Sequence, residues 1–122
     1  MKAAGAVLVV DDHSDLADNI AEIIRGVGRD AVTAESAEAA LECIVKGGIV
    51  VLITDYRLPG LSGAQLIAEL YRRGLGLPAI VMSAYTDDET IAAARKAGAL
   101  HVLAKPVEIR RLLALVETLD QS

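Results

Sequence analysis

Phenylalanine and tryptophan are absent from the chain, and tyrosine occurs only three times. A core without large rings must be built from Leu, Ile, Val and Ala. Cysteine occurs once, at Cys43, so no internal disulfide can form, and a reducing compartment fits. No apolar run approaches the roughly 20 residues that a membrane-spanning helix needs. The start, "MKAAGAVLVVDD", lacks the basic, apolar and cleavage segments of a signal peptide. Positive charge is in deficit: 12 Lys and Arg against 17 Asp and Glu give a net charge of −5. That excludes the basic face a general nucleic-acid binder needs to displace counterions. Linkers, repeats and low-complexity tracts are missing too. These absences describe one cytoplasmic domain that begins almost at once with a strand.

Apolar content is high, at 53% of 122 residues, enough to bury a real core. It comes in short runs that alternate with helical patterns. The runs 6–10 ("AVLVV"), 31–34, 49–54 ("IVVLIT"), 78–83 ("PAIVMS") and 101–104 read as strands, and the continuous ones as strands buried on both faces. Helices are expected over 14–28, 36–48, 64–74, 87–98 and 107–119, with Ser14 and Ser36 as N-caps. In the first, Leu16, Ile20, Ile23, Ile24 and Val27 share a face. In the last, the stripe is Ile109, Leu112, Leu113, Val116 and Leu119. Leu100 and Leu115 fall outside these faces, and Cys43 reads as a core or half-buried hydrophobe. Five strand–helix units in strict alternation imply a parallel sheet with helices on both faces.

In such sheets the site lies at the carboxyl ends of the strands. Here the first strand ends in Asp11 and Asp12, the third in Asp55, the fourth in Ser83, and the fifth in Lys105 followed by Pro106. Adjacent buried aspartates repel, so a cation is expected to share their charge. Carboxylate oxygens completed by water describe a Mg²⁺ site, and the lack of cysteine at these positions disfavours zinc. A carboxylate beside Mg²⁺ can also attack phosphorus and become an acyl phosphate, with a Lys and a Ser holding the phosphoryl oxygens. His13 follows the pair and is read as a loop residue rather than a phosphodonor or metal ligand, and His101 as a surface residue.

The ordered pieces "VDD" (10–12), "TDYRLPGLSG" (54–63), "MSA" (82–84) and "KP" (105–106) resemble the receiver domain of two-component response regulators over nearly the whole chain. The resemblance implies a flavodoxin-like α/β fold: one doubly wound (βα)5 domain over residues 1–122, strand order 2-1-3-4-5, with no output domain. It implies Asp55 as phosphoacceptor. Mg²⁺ would be held by Asp12, Asp55 and the backbone carbonyl of Arg57, with Asp11 acting mostly through water. Ser83 and Lys105 would bind the phosphoryl group, small Ala84 would leave a path to the acceptor, and the Lys105–Pro106 bond would be cis. Pro59 and Gly63 would shape the loop after Asp55. The implied partners are a sensor histidine kinase or histidine phosphotransfer protein, and an effector protein or a missing output domain. Dimerisation would use the fourth helix, fifth strand and last helix. Neither nucleic acid nor membrane is contacted directly, and catalysis is limited to the domain's own phosphorylation and dephosphorylation.

The chain departs from the family pattern at Val102, where an aromatic usually reads out phosphorylation. Tyr56 and Tyr85 are the only nearby rings, and Arg57 and Tyr85 stand at the mouth of the site. Two other functions fit the same strand ends less well. A phosphatase of the haloacid dehalogenase class wants a second Asp where Arg57 stands. A pseudo-receiver that only binds partners would not need the intact set of Asp12, Asp55, Ser83 and Lys105.

Overall fold

A computed structural model describes residues 5–120 of the chain. Ten elements alternate: β1 (Ala6–Val10), α1 (Ser14–Gly26), β2 (Asp30–Ala34), α2 (Ala37–Val45), β3 (Ile49–Asp55), α3 (Gly63–Arg72), β4 (Ala79–Ser83), α4 (Asp88–Ala97), β5 (His101–Ala104) and α5 (Ile109–Asp120). The strands form one parallel sheet in the order β2-β1-β3-β4-β5. The order reverses between β1 and β3, and this reversal opens the crevice where such sheets place their sites.

Strand alternation divides the core in two. Val7, Val9, Val51, Ile53, Ile80, Met82 and Leu103 face α1 and α5. Leu8, Val10, Leu52, Ala79 and Val81 face α2, α3 and α4. Because helices cover both faces, successive strand residues are all buried, which is why the strands read as unbroken apolar runs. Val102 packs partly buried against the second of these cores, as does Cys43. At the sheet end opposite the carboxyl edge, Arg29 pairs with Asp120 at the end of α5.

Two helices differ from their sequence reading. In α1 the buried residues are Ala17, Ile20, Ala21 and Ile24, whereas Leu16, Ile23 and Val27 are exposed. The buried face interleaves Ala17 and Ala21 with Ile20 and Ile24, and Leu16, Ile23 and Val27 lie to the flank. Its N-cap is His13 rather than Ser14: His13 is extended (φ −89°, ψ 95°) and makes no side-chain cap bond. Its backbone N–H is instead held by Asp11 Oδ1 at 2.9 Å. The last helix begins at Ile109, with Leu112, Val116 and Leu119 buried. Leu115 packs partly buried on the core, Leu100 is exposed, and His101 is half-buried.

Candidate functional site

Strand register assembles the polar residues. Val10 lies opposite Thr54, so Asp11 and Asp55 leave β1 and β3 side by side. Asp55 lies opposite Met82, and Ser83 opposite Ala104, so Ser83 and Lys105 follow one step further along the edge. Asp11 is fully buried, Asp55 and Ser83 nearly so. Asp12 stands at the solvent rim. The Lys105–Pro106 peptide is cis.

Lys105 spans the floor. Its Nζ donates to Asp11 Oδ2 at 3.0 Å and to Asp55 Oδ2 at 3.1 Å. Burial pushes the Asp55 carboxyl above the usual carboxylate range; the Lys105 bond and charge pull it down without cancelling the rise, and the Asp11 charge adds to it. For Lys105, burial works against the ammonium, but the bonds and charges of Asp11 and Asp55 outweigh it and hold the pKa above the ordinary lysine value. One ligand atom from each of Asp11, Asp12, His13 and Asp55 lies within 4.8 Å of all the others. Three carboxylates against one ammonium leave two negative charges uncompensated. Hard oxygen donors carrying that charge fit a small divalent cation such as Mg²⁺.

Two loops wall the crevice. After β3, Thr54 Oγ1 donates to the carbonyl of Asp55 (3.0 Å), and Tyr56 N–H donates to that of Met82 (2.8 Å). Gly63 N–H donates to Tyr56 O at 2.7 Å. A Cβ on Gly63 would stand 2.3 Å from Asp55 O, so the first turn of α3 presses on the backbone of Asp55 and only glycine fits there. Ser62 and Gln65 close a capping box that starts α3 at this point. Pro59 is exposed, beside Gly60 at φ +77°.

Across the crevice, Ser83 Oγ donates to Tyr85 O (2.6 Å) and accepts from Tyr85 N–H (3.0 Å). Its hydroxyl is therefore engaged by its own loop. Ala84 and Tyr85 are exposed, and the Arg57 guanidinium sits 5.1 Å from the centre of the Tyr85 ring. Beside the floor, Leu16 and Ile20 of α1 and Lys105, Pro106, Val107 and Ile109 line an apolar groove of about 400 Å³.

The structure thus brings Asp11, Asp55 and Lys105 into direct contact, with Asp12 at the rim and Ser83 on the far wall. Arg57 and Tyr85, which sequence places separately at the mouth, meet each other. His13, read as a bystander, stands inside the cluster: Nδ1 is 3.3 Å from Asp11 Oδ1 and 3.4 Å from Asp12 Oδ1. Its one sequence signal was its place directly after the paired aspartates.

The family profile for the response regulator receiver domain matches residues 7–117. A response regulator receiver protein of Anaeromyxobacter sp. is 43% identical over 88% of this chain and 45% of its own length. The DNA-binding transcriptional regulator NtrC of Escherichia coli is 34% identical over 93% of this chain and 24% of its own. The chain therefore spans less than half the length of either relative. A putative response regulator of Chloroflexus aurantiacus, known from a crystal structure, superposes with a TM-score of 0.90 at 32% identity, covering 98% of this chain and 100% of that one. No helix among the described residues is long and apolar enough to cross a membrane. With its sheet order, its acidic crevice and a match across almost its whole length, the chain belongs to the response regulator receiver domain family of two-component systems.

Proposed function

We propose that the chain is a phosphoacceptor switch in which Asp55 receives a phosphoryl group from a histidine kinase or histidine phosphotransfer protein. The observation that carries this reading is the Lys105 ammonium bridging Asp11 and Asp55 on a buried floor, with Asp12 at the rim. A carboxylate oxygen of Asp55 attacks phosphorus, the bond from phosphorus to the donor's imidazole nitrogen breaks, and an acyl phosphate remains on Asp55. Asp12, Asp55 and the Arg57 carbonyl would hold Mg²⁺, with Asp11 acting through water, and the ion would supply electrostatic stabilisation of the phosphoryl oxygens. Lys105 lies within reach of the same oxygens and keeps its proton, since its pKa is raised.

Ser83 and Ala84 frame the far wall. For its hydroxyl to bond a phosphoryl oxygen, Ser83 must release the carbonyl of Tyr85, which loosens the loop leading into α4. The signal then reaches the surface of α4, β5 and α5, where an effector protein, an output domain or a second copy would read it, without direct contact to nucleic acid or membrane and in a cytoplasmic setting. The apolar groove of Leu16, Ile20, Pro106, Val107 and Ile109 gives a protein donor a footing beside the acceptor.

Acetyl phosphate with Mg²⁺ should add a single phosphoryl group, read by intact mass. Asp55→Asn should abolish the gain; a gain that survives the substitution would place the acceptor elsewhere.

A further inference from the structure

We infer that His13 is a ligand of the cation in this crevice, and that it turns an all-oxygen site into one that favours a six-coordinate transition cation such as Co²⁺ or Ni²⁺. The inference rests on the reading of the acidic crevice as a cation site. Lys105 engages the Oδ2 atoms of Asp11 and Asp55 and leaves the opposite side of Asp11 open toward His13. There, Nδ1 of His13 stands 3.3 Å from Asp11 Oδ1 and 3.4 Å from Asp12 Oδ1. Neighbouring ligands of an octahedral cation bound at about 2.1 Å are about 3 Å apart, so the 3.4 Å between Nδ1 and Asp12 Oδ1 is close to the edge length of a coordination shell.

Two features hold it there, and a third lets it turn. Asp11 Oδ1 fixes the His13 backbone N–H at 2.9 Å. The extended backbone of His13 places it outside the first turn of α1, so the ring is not drawn along the helix. Its side chain is 76% exposed, so the ring can give up its contacts to the carboxylates and turn Nδ1 onto a cation without disturbing the core. Imidazole suits Co²⁺ and Ni²⁺ and adds little for Mg²⁺, which prefers oxygen and water. Nitrogen in the shell therefore changes which cation wins more than whether one binds.

The test is calorimetric titration of the metal-free full chain with MgCl₂, MnCl₂ and CoCl₂, in wild type, His13→Ala, His13→Asn and a His101→Ala control. Electron spin-echo spectra of the Mn²⁺-loaded proteins accompany it. The expected result is a loss of about tenfold in Co²⁺ affinity in both His13 variants, with Mg²⁺ affinity within twofold of wild type. The echo modulation of a directly bound imidazole nitrogen should be present in wild type and in His101→Ala, and absent without His13. Equal Co²⁺ affinity with no nitrogen signal in wild type would overturn the role of His13 while leaving the acidic site intact. No binding of any of the three cations to wild type would overturn the cation-site reading as well.

Discussion

At the scale of single residues, Arg57 and Tyr85 decide how long a phosphoryl group on Asp55 would last. Water must attack phosphorus from the mouth of the crevice, and the guanidinium lies there over the tyrosine ring, 5.1 Å from its centre. Such a contact at an exposed position contributes about 0.5–1 kcal/mol, weak enough for Arg57 to exchange the ring for phosphoryl oxygens. Neither side chain is a carboxylate or amide suited to orient an attacking water. Self-dephosphorylation should therefore be slow, and Arg57→Asn should speed it by up to about tenfold, which needs only about 1.4 kcal/mol of barrier. Phosphate release followed over time in both proteins checks this; equal rates would show that Arg57 guards nothing. Asp55 itself makes a second prediction. Its folded-state pKa is raised, mainly by burial, so the folded chain binds that proton more tightly than the unfolded chain. This group's contribution to stability thus falls as pH climbs from the ordinary carboxylate value through the raised one. In cation-free buffer near neutral pH, Asp55→Asn should be more stable than wild type, and the gap should narrow as pH falls toward 3.8. Denaturant unfolding across that range is the measurement, and a less stable variant at neutral pH would refute it. Which residues line the crevice was legible, because each one ends an apolar run. Their contacts were not: Arg57 meets Tyr85 only through loop geometry that no spacing encodes, and the place of His13 beside Asp11 and Asp12 did not reveal which way its ring turns.

Among the elements, α3 has the tightest coupling to the site. Its first residue, Gly63, touches the backbone of Asp55 so closely that a methyl group would collide at 2.3 Å. Gly63→Ala should push the start of α3 off the end of β3, at a cost of roughly 1–3 kcal/mol. Asp55 would shift with it, so phosphorylation by acetyl phosphate should slow as well. Unfolding and mass measurements on the same protein test both effects; unchanged stability would mean that the loop yields freely. The position of this glycine was visible in sequence, but its reason, contact across the seven-residue loop 56–62, was not. The strands were readable throughout, since a sheet covered on both faces needs continuous apolar runs. The inner face of α1 was readable only in part: Ile20 and Ile24 are buried as expected. Hydrophobic periodicity weighs large side chains, and here Ala17 and Ala21 face the sheet while Leu16, Ile23 and Val27 face outward. How near a helix may approach is a property of the assembled layers, and one helix's pattern does not contain it.

For the molecule as a whole, the question is how far a change at Asp55 travels. On the proposed reading, Ser83 must let go of the Tyr85 carbonyl to reach a phosphoryl group, so the loop into α4 should be the first segment to respond. Val102 offers no ring to swing inward, so the response should be small. Amide exchange should change over residues 84–104 on phosphorylation, and unchanged protection there would count against this route. The ion pair between Arg29 and Asp120 sets what the final helix can do in that response. It pins the far tip of α5 to the turn before β2, and Val116 and Leu119 are buried beside it. The near tip begins at Ile109, four residues after Lys105, and is only partly buried there. Held at one end and pushed at the other, α5 should act as a lever with its fulcrum remote from the crevice, tilting more readily than it slides. A partner resting on its outer surface would feel a displacement that shrinks along the helix from Ile109 toward Leu119.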